Sequence, residues 1–213
     1  MDALLAKGYR IAGSKAGTSY AIYRPFNAMN PISILSKVGD VQAAFDARSN
    51  FAFGSPNEYG DARWYALHDR SLTRPGDYLV GAGGAYFIAA QQPLLPSFCI
   101  SCNATVSLRR PIRQSAIGAV AYAGGDPDRE VEIMAGWPIA LLLKGGGAVS
   151  DGGLPGEPSV ATLQATIPVI SDDISIAPQR ADILVDGAGL RYVVRSSEGT
   201  DLGFRLTIEQ AGP

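Results

Sequence analysis

Between Phe98 and Leu108 the apolar residues Phe98, Ile100, Cys102, Ala104, Val106 and Leu108 hold the even positions, while Ser101, Asn103, Thr105, Ser107 and Arg109 hold the odd ones. A period of two marks an extended chain with one buried face, so this spacing predicts a single eleven-residue strand ended by Pro111. The pattern returns where Leu202, Phe204, Leu206 and Ile208 alternate with Asp201, Gly203, Arg205, Thr207 and Glu209. It appears again where Ala161, Leu163, Ala165, Ile167 and Val169 alternate with Thr162, Gln164 and Thr166. With Ala116 to Ala123 and Val131 to Leu143 also strand-like, the chain beyond residue 75 reads as antiparallel β.

The first sixty residues carry weaker periodicity. Asp2 to Lys7 predicts one or two helical turns stopped by Gly8, and Tyr20 to Pro25 predicts extended chain leading into a loop at Asn27 to Pro31. Asp40 to Phe45 reads as a short helix with Asp40 as N-cap, and Asp61 to His68 as a second. The remainder, with Tyr20, Tyr23, Phe26, Phe51 and Phe53, suits an extended arm. Lys144 to Pro158 is dense in glycine and proline; it reads as a flexible loop, serving either as a long hairpin connection or as a segment that orders against a partner.

Two stretches echo one another. Gly76-Asp77-Tyr78-Leu79-Val80, a glycine turn and Tyr86-Phe87-Ile88 match Ala181-Asp182-Ile183-Leu184-Val185, Asp186-Gly187-Ala188-Gly189 and Tyr192-Val193-Val194. Each predicts a β-hairpin, and each is followed by one of the long alternating strands; the echo reads either as a duplication or as the common form of any hairpin with a glycine turn. The expected fold is therefore mainly β: an antiparallel barrel or sandwich, either two duplicated subdomains or one composite sheet, with a short N-terminal helix and an arm. The expected division is an arm over residues 1–60, a first β subdomain over 61–143, the flexible loop over 144–158 and a second β portion over 159–213.

Composition narrows the function. Of 213 residues only 18% are charged while 46% are hydrophobic, leaving little charge to coat a wholly exposed surface and favouring a protein that works assembled. A net charge of −2 lacks the electrostatic footprint of a dedicated nucleic-acid binder. Asp2 stands where a secretory leader needs positive charge, and runs such as Ile139 to Leu143 and Tyr86 to Ala90 fall far short of the roughly 18 apolar residues a membrane helix needs. Two cysteines make no disulfide framework, which points to synthesis in a reducing cytoplasm.

Candidate chemistry is sparse. Cys99 and Cys102 form a lone Cys-x-x-Cys without a second pair, and strand alternation sends them to opposite faces, Cys102 to the apolar side and Cys99 to the polar side. His68, the single histidine, neighbours Asp69 without any serine in a nucleophile elbow, which favours a structural or surface role. Gly145 to Gly147 and Gly81 to Gly83 lack the residues that make a phosphate cradle. Arg109, Arg110 and Arg113 lack interleaved aromatics and read as a solvated or intersubunit salt-bridged edge. No catalytic, cofactor or metal residues are assigned, and no cofactor is expected.

The segment Arg74-Pro75-Gly76-Asp77-Tyr78-Leu79-Val80, followed by Tyr86-Phe87-Ile88-Ala89-Ala90, Gln92-Pro93-Leu94-Leu95-Pro96 and Ser107-Leu108-Arg109-Arg110-Pro111, resembles tailed-bacteriophage neck proteins of the head–tail connector, stopper or head-closure group. Ala181 to Val185, Arg191 to Val194 and Asp201 to Leu206 have a similar flavour, so that the likeness covers about a third of the chain. The resemblance implies a non-enzymatic virion protein made in the host bacterial cytoplasm. It implies a homo-oligomeric ring beside portal, adaptor or tail proteins, near DNA in a central channel and away from membranes. It also makes Lys144 to Pro158 the candidate channel loop. This chain is much longer than a minimal stopper; a two-barrel version suits a tail-tube, nozzle or baseplate ring, and a small β hydrolase or carbohydrate-binding module is the alternative from another class.

Overall fold

The computed structural model describes residues 2–52, 61–112, 129–143, 162–169 and 176–211. The expected strand at Ala116 to Ala123, the glycine-rich segment Lys144 to Pro158, Phe53 and Arg113 lie outside these residues. A helix, α1 (Asp2–Ala16), precedes β1 (Thr18–Tyr23), β2 (Lys37–Asp46), β3 (Arg63–Leu67), β4 (Tyr78–Gly81), β5 (Gly84–Ala90) and β6 (Ser97–Cys102). Then follow β7 (Ala104–Pro111), β8 (Glu130–Leu143), β9 (Thr162–Ile167), β10 (Ile183–Asp186), β11 (Arg191–Thr200) and β12 (Gly203–Gln210).

The strands close two antiparallel barrels, β1-β2-β3-β6-β5-β4 and β7-β8-β9-β12-β11-β10. Renumbered within each barrel, both orders are first-second-third-sixth-fifth-fourth, so the echo between the hairpins β4-β5 and β10-β11 extends to whole barrels. Closure leaves neither sheet an unpaired edge. The chain therefore divides at Asn103 and not at residues 60 or 143: the expected arm supplies β1 and β2 of the first barrel, and β7 and β8 belong to the second.

The expected helices at Asp40 to Phe45 and Asp61 to His68 are strands β2 and β3. Within β2, Val41 and Ala43 face the first barrel's interior with Phe45 packed beside them, a period of two that the consecutive alanines 43 and 44 obscure. The helix expected to end at Gly8 runs on to Ala16 because packing overrides glycine's low propensity. Gly13 is the one buried residue among those of the helix whose side chains are described, and a Cβ there would lie 2.5 Å from the Leu67 carbonyl oxygen and 2.9 Å from that of Gln42.

The expected eleven-residue strand is two strands in two barrels. In β6 the odd positions Ser97 and Cys99 point into the first barrel, while Ile100, with Phe98 and Cys102 packed beside it, meets the second barrel. In β7 the even residues Val106 and Leu108 fill the second barrel's interior. One apolar face thus runs from 98 to 108, outside one barrel and inside the next. Asn103 marks the passage: its amide donates to the Leu141 carbonyl oxygen and accepts from the Leu141 N–H, each at 2.7 Å.

The core follows from this arrangement. Tyr20, Ile22, Leu79, Tyr86, Ile88 and Cys99 fill the first barrel, whereas Tyr78, Phe87 and Ile100 join the second barrel's cluster of Leu108, Met134, Trp137, Ile167 and Leu206. Strands β4 to β6 are buried on both faces, which explains why Tyr86 to Ala90 is a continuous apolar run. Tyr78 donates its hydroxyl to the Pro138 carbonyl oxygen at 2.8 Å, and Trp137 its indole N–H to the Ala28 carbonyl oxygen at 2.9 Å. Both polar atoms are satisfied within the seam, as buried aromatics require.

Candidate functional site

The residues that carried the resemblance form a structural clamp. The Arg24 guanidinium, just beyond β1, donates from Nε to Asp77 Oδ1 at 2.9 Å and from Nη2 to Asp77 Oδ2 at 2.7 Å. Asp77 also accepts the backbone N–H of Arg74, and its own carbonyl accepts the N–H of Ile88. In the second barrel Arg110 donates to Asp182 from Nε at 2.8 Å and from Nη2 at 2.9 Å. Asp182 accepts the Gln179 N–H, and its carbonyl accepts the Val194 N–H.

Even the backbone repeats. Gly76 has φ +90° and its N–H bonds the Ile88 carbonyl oxygen; Ala181 has φ +73° and its N–H bonds that of Val194. A left-handed conformation suits glycine and strains alanine, yet it is kept in both copies because it turns the following aspartate toward its arginine. The aspartate side chains are 1% and 2% exposed, and the arginines about a third, so each clamp is a nearly buried carboxylate held by a fork at the rim of its barrel. Hydrogen bonding to the aspartate raises each arginine's pKa above its ordinary value against the opposing effect of burial.

Another feature with the dimensions of a site is a cleft of about 590 Å³ between the barrels. Its floor is apolar, with Ala89, Phe98, Ile100 and Leu142, and its rim carries Asp61, Arg63, Gln164, Thr166, Asp201 and Arg205. Asp61 accepts from Arg63 Nε at 2.9 Å and from Nη2 at 2.6 Å, and these bonds hold its carboxyl below the usual range. A carboxylate stabilised in its ionised form is poorly suited to shuttling protons near neutral pH.

His68 is fully buried, continuing the inward stripe of Trp64 and Ala66 beneath α1, and lies away from the cleft walls. Neither ring nitrogen has a hydrogen-bond partner of good geometry. Burial pushes its pKa down to about 4; the Asp69 backbone opposes that shift, and Arg70 adds to it. A ring with no route to solvent cannot act as general base toward a diffusing substrate.

The cysteines do lie on opposite faces of β6, Cys102 half-buried on the apolar even face as expected, but Cys99 is not on a polar side: it is fully buried inside the first barrel. The even positions form an apolar face because they meet another barrel, while the interior of the first barrel lies on the odd side. Burial raises the pKa of both thiols, Cys102 to about 12. Among the described residues no group of three His, Cys, Asp or Glu side chains is placed to hold a metal.

Of the arginine cluster, Arg110 clamps Asp182 and Arg109 reaches Glu132 at 3.6 Å, both within the chain, while Arg113 lies outside the described residues. Sequence reasoning missed the clamp partners, although an acid at the same place in both hairpins was their visible signal. No protein-family model matches the chain, and no match is found among curated proteins or solved structures.

Proposed function

We propose that this chain is a structural, non-enzymatic virion protein of a tailed bacteriophage, one subunit of a homo-oligomeric ring at the head–tail interface that contacts portal, adaptor or tail proteins. The observation that carries the reading is that Arg74 to Ala90, the core of the resemblance, forms a clamped hairpin built into a barrel, with its side chains directed to architecture rather than chemistry. The buried histidine and the thiols with raised pKa values are consistent with a protein whose work is assembly. Its near-neutral charge suits a wall past which DNA slides.

The duplication into two barrels favours a second reading within the same class, a tail-tube, nozzle or baseplate ring. Proteomics and cross-linking of purified virions separate the two. Several copies per particle cross-linked to portal or adaptor support the neck, cross-links confined to tail proteins support the second reading, and absence from particles overturns both.

A further inference from the structure

The fully buried His68 ring sits where a charge cannot be held. A neutral imidazole without good hydrogen bonds costs only those bonds, whereas an imidazolium brings two donors and a charge that both need solvation. The described surroundings supply little of it. On the same segment, Asp69 is engaged by the Ser71 N–H at 3.1 Å and the Ser71 hydroxyl at 2.6 Å, and the Arg70 cation repels a second positive charge. From α1, Arg10 brings a further cation, 4.0 Å from Asp69. Val41 to Phe45 of β2, all of β6 and the connection Gln91 to Pro96 carry no charged side chain. Asp46, opposite Tyr65, projects from the face of β2 that Val41 and Ala43 do not occupy. The titratable side chains inside the barrel, Tyr20, Tyr86 and Cys99, stay neutral throughout the acid range.

The cover over this ring is uneven. On the barrel side, β2, β3 and β6 are joined by hydrogen-bonded ladders in a closed sheet. On the other side α1 lies against the backbone of Leu67 and His68, where a Cβ at Gly13 would stand 3.1 Å from the His68 Cα. Among the helix residues whose side chains are described, Gly13 alone is buried, and Leu5, Tyr9 and Ala12 are half-buried. Beyond this narrow stripe, the helix is tied by the Tyr9 hydroxyl, which donates to the Leu94 carbonyl oxygen at 2.7 Å, and by the long Arg10–Asp69 pair, both exposed. Gly17, between α1 and β1, is the joint. A helix that buries so little belongs to the least stable part of a fold and opens before a closed strand ladder does.

We propose that α1 is an acid-released cover: protonation of His68 detaches the helix from β2 and β3, pivoting at Gly17, while both barrels stay closed. Any state in which the ring is wet binds the proton more tightly than the closed state, and lifting α1 is the way to wet it that breaks fewest bonds. The depression of the buried ring's pKa to about 4, from 6.5, has the sign this requires. The proposal is independent of the ring reading.

The test follows amide hydrogen exchange of the full-length protein by mass spectrometry from about pH 7 to about pH 4.5, corrected for its intrinsic pH dependence. Exchange within α1 should rise on the order of 50-fold across this range, while β7 to β12 keep their protection. In His68→Leu it should stay flat. His68 is the single histidine, so labelled histidine gives one imidazole NMR signal, which reports the ring's protonation in the wild type without any substitution. Exchange in α1 that does not rise, or that rises equally in His68→Leu, overturns the proposal. So does a ring that titrates near 6.5 with α1 still protected, or a loss of protection shared equally by α1 and β1 to β6. If His68→Leu does not fold, the wild-type exchange and imidazole signal decide among these outcomes.

Discussion

Arg110 reaches across 72 residues of sequence to grip both carboxylate oxygens of Asp182, tying the end of β7 to the corner that launches β10. The same bond, Arg24 to Asp77, ties β1 to β4 in the first barrel. Replacing Asp77 or Asp182 by Ala removes the arginine's partner and leaves the part-buried N–H of Arg74 or Gln179 without its acceptor. Each variant should lose about 2–4 kcal/mol in urea unfolding. Glu209→Gln, at the more exposed Arg195 pair, should lose under about 1 kcal/mol. A clamp variant no less stable than Glu209→Gln would remove the clamp from the account of the fold.

Gly8 and Gly13 lie on the same helix with opposite surroundings. A Cβ at Gly8 meets nothing within 4 Å, whereas one at Gly13 runs into fixed backbone oxygens. Gly8→Ala should therefore stabilise by about 0.5–1 kcal/mol through helix propensity. Gly13→Ala should destabilise by about 1–3 kcal/mol as α1 is pushed off β2 and β3. Melting temperatures that move together, in either direction, would contradict the docking of α1.

Burial of His68 makes stability depend on pH. Its folded pKa, about 4, lies below the ordinary value of 6.5, so the unfolded chain binds the proton first. The stability it contributes is intact above about pH 6.5 and is lost as pH falls from there toward 4, by on the order of 3 kcal/mol at 1.36 per unit. Unfolding free energies of the wild type and His68→Leu across this range should diverge in slope; parallel curves would place the acid sensitivity elsewhere.

Both thiols should resist alkylation in the native protein at pH 8, because burial raises their pKa values and shields the sulfurs. Two equivalents of a thiol reagent should be consumed after denaturation, and almost none before. Rapid native labelling at Cys102 would show that the seam between the barrels opens.

Tyr78 and Trp137 couple the barrels through a shared core and through bonds to Pro138 and Ala28. Tyr78→Phe should cost about 1 kcal/mol for the lost hydrogen bond while keeping the packing. Trp137→Ala should cost about 3–5 kcal/mol and make the two barrels unfold in separate transitions, where the wild type is expected to unfold in one, as the shared core is emptied. One cooperative transition retained in Trp137→Ala would mean that other contacts hold the barrels together.

Strands with one face in solvent or in a shared core were legible because alternation survives there: β9, β12 and the continuous face of β6 and β7 are visible residue by residue. The clamps were half legible, the acid of each hairpin standing out as a repeat while its arginine, some fifty to seventy residues earlier, did not. Strands β2 and β3 read as helices because Ala43, Ala44 and Ala66 carry weak strand propensity, and pairing with neighbours distant in sequence overrode it.

The sequence by itself determined the mainly β class, the two hairpins and their likeness, since local periodicity and turn chemistry act over a few residues. Only the tertiary structure decided that the alternating run from 98 to 108 passes between two barrels at Asn103. It also decided that Cys99 faces inward and that Arg24 and Arg110 belong to Asp77 and Asp182. Alternation reports that one face is apolar without saying what covers it; that depends on which strands close the barrel and which barrel lies against its outer wall.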